Sequence, residues 1–183
     1  MVDQTDLTAV EAAVNDDTKL IWVETPTNPT LNIVDIEAII ARKRKALVVV
    51  DNTFATPIYQ RPLELGADAV IHSTTKYIGG HSDAVGGAAI VREQALHDAI
   101  RFVQNSVGAV PGPLDCFLTH RGIRTLHLRM AAHSENARAV SEWLKDHAND
   151  VRWPGFSGMV SFRHEDATAI AVAFGCRNET IPE

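Results

Sequence analysis

The chain is predicted to form an α/β fold built on a mostly parallel, covered sheet. Three observations carry this. Continuous apolar runs recur at Leu20-Ile21-Trp22-Val23, Leu47-Val48-Val49-Val50 and Ala69-Val70-Ile71-His72. Strands apolar on both faces belong in sheets covered on both sides. Helical spacings separate the runs, which is the alternation of parallel sheets. Each run also stops on polar residues, and in open α/β sheets ligands gather beyond the strand carboxyl ends.

The elements follow in order. Leu7, Val10 and Val14 recur at three and four, so residues 6–16 read as a helix capped by Thr5 or Asp6. The first strand, Leu20 to Val23, stops at Glu24-Thr25-Pro26-Thr27-Asn28-Pro29, where two prolines three apart forbid regular structure. Asp35 caps a helix carrying Ile36, Ile39 and Ile40, which ends in Arg42-Lys43-Arg44-Lys45, a solvated last turn. The second strand ends on Asp51-Asn52-Thr53. Arg61 to Leu65 is expected to be a short helical segment closed by Gly66, and the third strand ends on Ser73 to Lys76. Ala84 to Val91 is expected to be a fourth strand. From Gln94 the pattern is helical. Pro111-Gly112-Pro113 interrupts it, and Asp115 to Arg129 and Ala132 to His147 read as one or two long helices. After the break at Trp153-Pro154-Gly155, Val160 to Phe162 and Ala169 to Ala173 read as strands of a second unit.

Composition narrows the classes of function. The 183 residues allow one large or two small domains, with 45% hydrophobic and 22% charged residues, ordinary for a soluble protein. A net charge of −6 argues against a nucleic-acid or anionic-membrane partner. There is no apolar run of roughly 18 residues and no signal layout at Met1-Val2-Asp3-Gln4, so a cytoplasmic protein is expected. Cys116 and Cys176 fit no CxxC pattern and read as reduced thiols. No HExxH or HxxxH spacing suggests a metal. GxGxxG, Walker and GxSxG patterns are absent.

The constellation worth pursuing runs from Ser73 to Asp83, with Lys76 at its centre. An amine beside the hydroxyls of Ser73 and Thr75 and the Gly79-Gly80 pair suits a phosphate-bearing aldehyde. Lys76 would form a Schiff base, which only an unprotonated primary amine can do. Ser73 and Thr75 would donate to phosphate oxygens. Asp51 would keep a ring nitrogen protonated and make the ring an electron sink. Asn28 would hydrogen-bond the ring oxygen. Each residue also has a purely structural reading. Lys76 could be a surface charge, and Ser73 and Thr75 could form turns. Asp51 could cap a helix or pair with Arg42, and Asn28 could be turn chemistry before Pro29. His72 and His81 flank Lys76 and read as hydrogen-bonded structural histidines, with support of the lysine site from behind as the alternative. It is the recurrence of polar groups at successive strand ends that favours a site.

At these residues the chain resembles the Cys/Met-metabolism family of pyridoxal-phosphate enzymes, which includes cystathionine γ-lyase, cystathionine γ-synthase and methionine γ-lyase. The matching motifs are Glu24 to Pro29, Val50-Asp51-Asn52-Thr53-Phe54, Gln60-Arg61-Pro62-Leu63, Ser73 to Tyr77 and Gly80 to Asp83. They continue through Gly112 to Asp115, Arg121 to Leu126 and Ser134 to Ala137. The resemblance implies the aspartate-aminotransferase-like fold type I and the cofactor pyridoxal 5'-phosphate. It implies that Lys76 is the cofactor lysine, Asp51 the pyridine-nitrogen partner, and Ser73 and Thr75 phosphate ligands, with Asn28 and Thr53 also at the cofactor. It divides the chain into part of the large cofactor-binding domain (1–122), a connecting long helix (123–148) and an incomplete carboxyl-terminal domain (149–183). A homotetramer, a dimer of dimers acting on a small amino acid, is implied as well.

The implied reaction is elimination or replacement at the γ-carbon, and overall resemblance favours γ-elimination of cystathionine over γ-replacement on an O-acylhomoserine. Family members are about twice as long. Their amino-terminal phosphate clamp and carboxyl-terminal substrate arginine have no counterpart here, so the expectation is the middle of such an enzyme. Two other readings stand beside it. One is an inactive fragment serving as a binding or oligomerising module, and the other is an unrelated Rossmann-like nucleotide binder. Fold alone decides none of these.

Overall fold

The computed structural model describes residues 1–166. The expected strand at Ala169 to Ala173, and Cys176, lie outside the described residues. Four strands form one sheet in the order β1-β2-β3-β4: β1 (Leu20–Glu24), β2 (Leu47–Asp51), β3 (Ala69–Ser73) and β4 (Gly87–Val91). The first three are parallel, with Trp22 opposite Val49 and Val50 opposite Val70. The last is antiparallel, with Val70 opposite Ile90. A mostly parallel α/β sheet is therefore present, but β4 runs against it and begins at Gly87 rather than Ala84.

Helices fill the connections. In α1 (Leu7–Ala13) Asp6, one of the two expected caps, accepts from Thr8 N and Ala9 N, two of the free amides at a helix start. In α2 (Ile36–Ile40) Asp35 does the same for Ala38 N. The expected helix at Arg61 to Leu65 is a series of turns instead, closed by bonds three residues back such as Glu64 N to Arg61 O at 2.9 Å and Leu65 N to Pro62 O at 3.1 Å. The helical turn of this region lies earlier, at α3 (Thr56–Tyr59). Then come α4 (Gln94–Val107), α5 (Pro113–Ile123) and α6 (Leu126–Leu144). The long helical stretch thus breaks at Arg124-Thr125, not at Met130-Ala131. A small antiparallel pair, β5 (Asn149–Arg152) and β6 (Ser161–Arg163), closes the described chain.

The core sits on one face of the sheet. Ile21, Val23, Val48 and Val50 alternate inward and meet Val10, Val14, Ile36 and Ile39 of α1 and α2. Asp68 pins the corner beneath this core: Oδ2 accepts from Lys43 Nζ at 2.7 Å and from Val48 N at 2.8 Å. Lys43 is thus more than a solvated charge. A second cluster, Ile78, Leu126 and Met130 with Tyr77 against it, joins α6 to the segment after β3. Among the described residues no helix is long and apolar enough to cross a membrane.

Candidate active site

Three strand ends define the site. Parallel pairing sets Glu24 beside Asp51 and Asp51 beside Ile71. The segments after β1, β2 and β3 therefore leave from one edge, with neighbouring strands about 4.8 Å apart. Asp51 is half-buried, and its Oδ1 accepts from Thr53 N at 3.0 Å. Thr53 Oγ1 in turn accepts from Ser73 N at 2.8 Å. These two hydrogen bonds tie the end of β2 to the end of β3. Asp51 does not pair with Arg42, whose Nε lies 3.6 Å from Glu11 instead.

Lys76 sits in a wide turn, Thr74–Ile78. Gly79 N donates to Thr74 O at 2.8 Å, five residues back, and Gly80 N donates to Lys76 O at 2.8 Å. The turn is no regular helix, because Lys76 has φ −88° and ψ −126°. Its side chain is exposed and makes no hydrogen bond or ion pair among the described residues. Thr75 is more constrained. Its hydroxyl accepts from Gly86 N at 3.0 Å and lies 3.3 Å from Gly86 O, so it ties the lysine turn to the segment entering β4. The Ser73 hydroxyl has no such tie among the described residues.

Asn28 is exposed on the loop after β1. That loop holds itself in shape: Thr27 N donates to Asn32 O at 3.0 Å, and Val34 N to the buried Thr25 Oγ1 at 3.0 Å. His81 is not free either, since its Nδ1 meets Gly79 O at 2.7 Å.

Electrostatics bring in two groups: Glu24, which sequence reading did not place at the site, and His72, which it weighed only as a flanking residue. Burial pushes the Glu24 carboxyl up, the Asn28 backbone amide pulls it back, and the Asp51 carboxylate pushes it up again. Burial pulls the His72 imidazole down, and Asp51 opposes this. His72 Nδ1 is buried without a hydrogen-bond partner among the described residues. His72 belongs to no motif, and Glu24 opens the Glu24 to Pro29 motif without having been given a role at the site. Only the pairing register, which aligns the ends of β1 and β2, brings Glu24 to Asp51. A further missed residue, Arg129 on α6, reaches back to the lysine turn.

The donor set is one amine with no partner, a carboxylate whose second oxygen is not bonded by the described protein, and several hydroxyls at the amide-rich start of a turn. It fits a phosphorylated pyridine aldehyde better than a metal. Among the described residues no group of three or more His, Cys, Asp or Glu side chains is placed to hold a metal ion.

Comparison with known proteins bears on the same residues. The model of the family described as Cys/Met metabolism PLP-dependent enzyme matches residues 1–175. The cystathionine gamma-synthase of Mycobacterium bovis is 54% identical over 178 residues, taking in 86% of this chain and 46% of that protein. The cystathionine gamma-lyase of Macaca fascicularis is 49% identical over 159 residues, taking in 84% of this chain and 39% of that one. The crystal structure of metB from Corynebacterium glutamicum superposes with a TM-score of 0.91 at 42% identity, over 98% of this chain and 54% of that chain. The chain spans about half the length of the curated relatives it matches. With the family model covering nearly all of its sequence and the lysine turn standing at the carboxyl edge of a mostly parallel sheet, the chain belongs to the Cys/Met metabolism family of PLP-dependent enzymes.

Proposed function

We propose that this chain carries the cofactor-lysine segment of an enzyme that works at the γ-carbon of a sulfur amino acid, with Lys76 as the cofactor lysine. The observation that carries the reading is the exposed, unpaired Lys76 amine on a turn tied by Thr53 to Asp51. Asp51 would hold the ring-nitrogen proton, and Ser73 and Thr75 the phosphate. Asn28 would meet the ring oxygen, and Thr53 would line the same floor. When bound, pyridoxal phosphate supplies a protonated ring that withdraws electrons from the substrate α-carbon. The rest falls to the chain. Asp51 keeps its place through the Thr53 amide. Lys76, whose amine has no partner among the described residues, takes the α-proton and serves the β-carbon, so that a γ-substituent can leave.

Thr75 is the weakest of these assignments, because its hydroxyl is already engaged with Gly86. Its role would be to give up the 3.3 Å contact to Gly86 O while keeping the amide of Gly86 as donor.

Two substrate readings follow. γ-Elimination of cystathionine would release cysteine, 2-oxobutanoate and ammonia. γ-Replacement would join cysteine to an activated homoserine, and the higher identity to the mycobacterial γ-synthase than to the macaque γ-lyase favours this second reading. An oligomeric parent accords with the exposed apolar residues Phe102, Val107, Leu114 and Phe117 on α4 and α5.

The test is direct. The chain is mixed with pyridoxal phosphate, reduced with borohydride and digested. A pyridoxyl group is expected on Lys76, and Lys76→Ala is expected to lose it entirely. Label spread over surface lysines, unchanged in the variant, would sink the assignment. Supplying the full-length parent with cystathionine, and separately with an O-acylhomoserine plus cysteine, separates the two reactions. No turnover by the parent in either arm would leave the inactive-module reading.

A further inference from the structure

The lysine turn is held from behind by one guanidinium. Arg129 Nη1 donates to Tyr77 O at 2.6 Å, and Nη2 donates to Gly122 O at 2.7 Å and, more weakly, to Ile78 O at 3.4 Å. Nε donates to Thr125 Oγ1 at 3.0 Å. The carbonyls it meets are of one kind. Tyr77 O and Ile78 O close the turn that bears Lys76, and Gly122 O lies in the last turn of α5. The ends of helical segments carry partial negative charge on their last carbonyls, and Gly122 O accepts from Thr125 N at 3.2 Å as well as from the guanidinium. Two such ends meet here, and one planar fork bridges them.

The backbone is shaped around this contact. Gly80 has φ +71°, and a Cβ there would collide with the Arg129 guanidinium. A Cβ on Gly122 would collide with Gly79 O and Ile78 O, so α5 lies directly on the turn. Gly80 N also holds Lys76 O. The chain thus leaves side-chain space empty on both sides of the fork.

Packing alone does not account for an arginine at this position. Arg129 is half-buried, burial pulls its ionisation downward, and it pairs with no carboxylate among the described residues. Placing a charge there costs desolvation that an apolar side chain of similar size would avoid. What an apolar side chain cannot do is tie three carbonyls to one rigid plane.

We propose that Arg129 is a positioning residue for Lys76: by clamping the carbonyl end of the 74–78 turn to the end of α5, it fixes the backbone from which the lysine projects. The proposal rests on the reading of Lys76 as the cofactor lysine. Its own content is mechanical, and so it can be tested separately.

Arg129→Lys keeps the charge but replaces the fork with a single point donor. Amide hydrogen exchange of the chain without cofactor is the first readout. Exchange at Gly79 and Gly80 is expected to rise at least about tenfold against wild type, since each charge-assisted bond lost is worth roughly that factor, while core amides of β1 and β2 stay unchanged. The second readout is the pH profile of borohydride-trapped pyridoxyl on Lys76. Its yield is expected to fall about tenfold and its profile to shift. Unchanged exchange at Gly79 and Gly80 overturns the clamp. Faster exchange with an unaltered labelling profile overturns its role toward Lys76. Should Arg129→Lys not fold, Thr125→Val removes the Nε anchor together with the 3.2 Å bond from the Thr125 hydroxyl to Gly122 O. A rise of roughly threefold at the same amides is then expected, and no rise overturns the proposal. If wild type itself fails to label Lys76, the cofactor reading falls, while the exchange readout still decides the clamp.

Discussion

The two faces of the sheet make opposite use of the same strands. On one, Val23, Val48 and Val50 are fully buried beneath α1 and α2. On the other, Leu20, Trp22 and Leu47 are 48%, 50% and 41% exposed, although they alternate with the buried residues one position away. Apart from Glu24 and Asp51 at the strand ends, both faces of β1 and β2 are apolar, so along the body of these strands what differs is the covering layer. The strands are built for a two-sided burial that the described residues supply on only one side. Stability in this chain should therefore be concentrated under α1 and α2, and the open face should be nearly neutral to substitution.

The strongest way to break that comparison is Ile39→Ala. Ile39 is fully buried between α2 and the sheet, and a loss of about 2–5 kcal/mol in urea unfolding is expected. A loss below about 1 kcal/mol would mean that the covered face is not the stabilising one.

His72 offers a sharper, pH-dependent probe, because it places a polar ring on the covered face. Its folded ionisation lies below the usual 6.5, so the unfolded chain binds the proton more readily. Stability from this group is complete above 6.5 and is lost as pH falls through the lower folded value. Glu24 works the other way. Its folded carboxyl lies above the usual 4.5, so stability is gained as pH falls toward 4.5. Unfolding midpoints measured from pH 8 to pH 5 should therefore decline less steeply in His72→Leu than in wild type. Parallel curves would mean that His72 is not held neutral.

The smallest effect is expected on the open face. Trp22→Ser should change stability by no more than about 0.5 kcal/mol by urea titration. A cost near that of Ile39→Ala would show that something covers this face in solution.

How much of this was legible in the sequence depends on what kind of information each element needs. The first three strands were readable because apolar runs of four residues between turn signals have few other uses. Asp6 and Asp35 were readable as caps because a side-chain acceptor before a helical run has a local purpose. The direction of β4 was not, since Gly87-Ala88-Ala89-Ile90 pairs equally well either way and only the chain path decides. β5, Asn149–Arg152, is too polar to announce a strand. The break at Arg124-Thr125 has no proline to mark it, and the nearby Gly122 lies inside α5 rather than past its end. At the site, Lys76, Asp51 and Ser73 were legible as polar punctuation after strands. Glu24, His72 and Arg129 were not, because their relation to the site runs through register and tertiary contact. Arg129 lies 52 residues from the Tyr77 carbonyl that it holds.

The register that sets Glu24 beside Asp51 also decides where this sequence tolerates changes of length. One residue added within β2 would turn Asp51 to the opposite face and carry it past its neighbour, and the same holds for β3 before Ser73. The tight link between α2 and β2, at Lys43 to Ala46, lies at the far end of the strands and feeds no group into the site. Insertions and deletions should accumulate there and be purged from the strands. Variation in chain length among natural sequences of this kind would then trace the strand edge that the chemistry cannot let move.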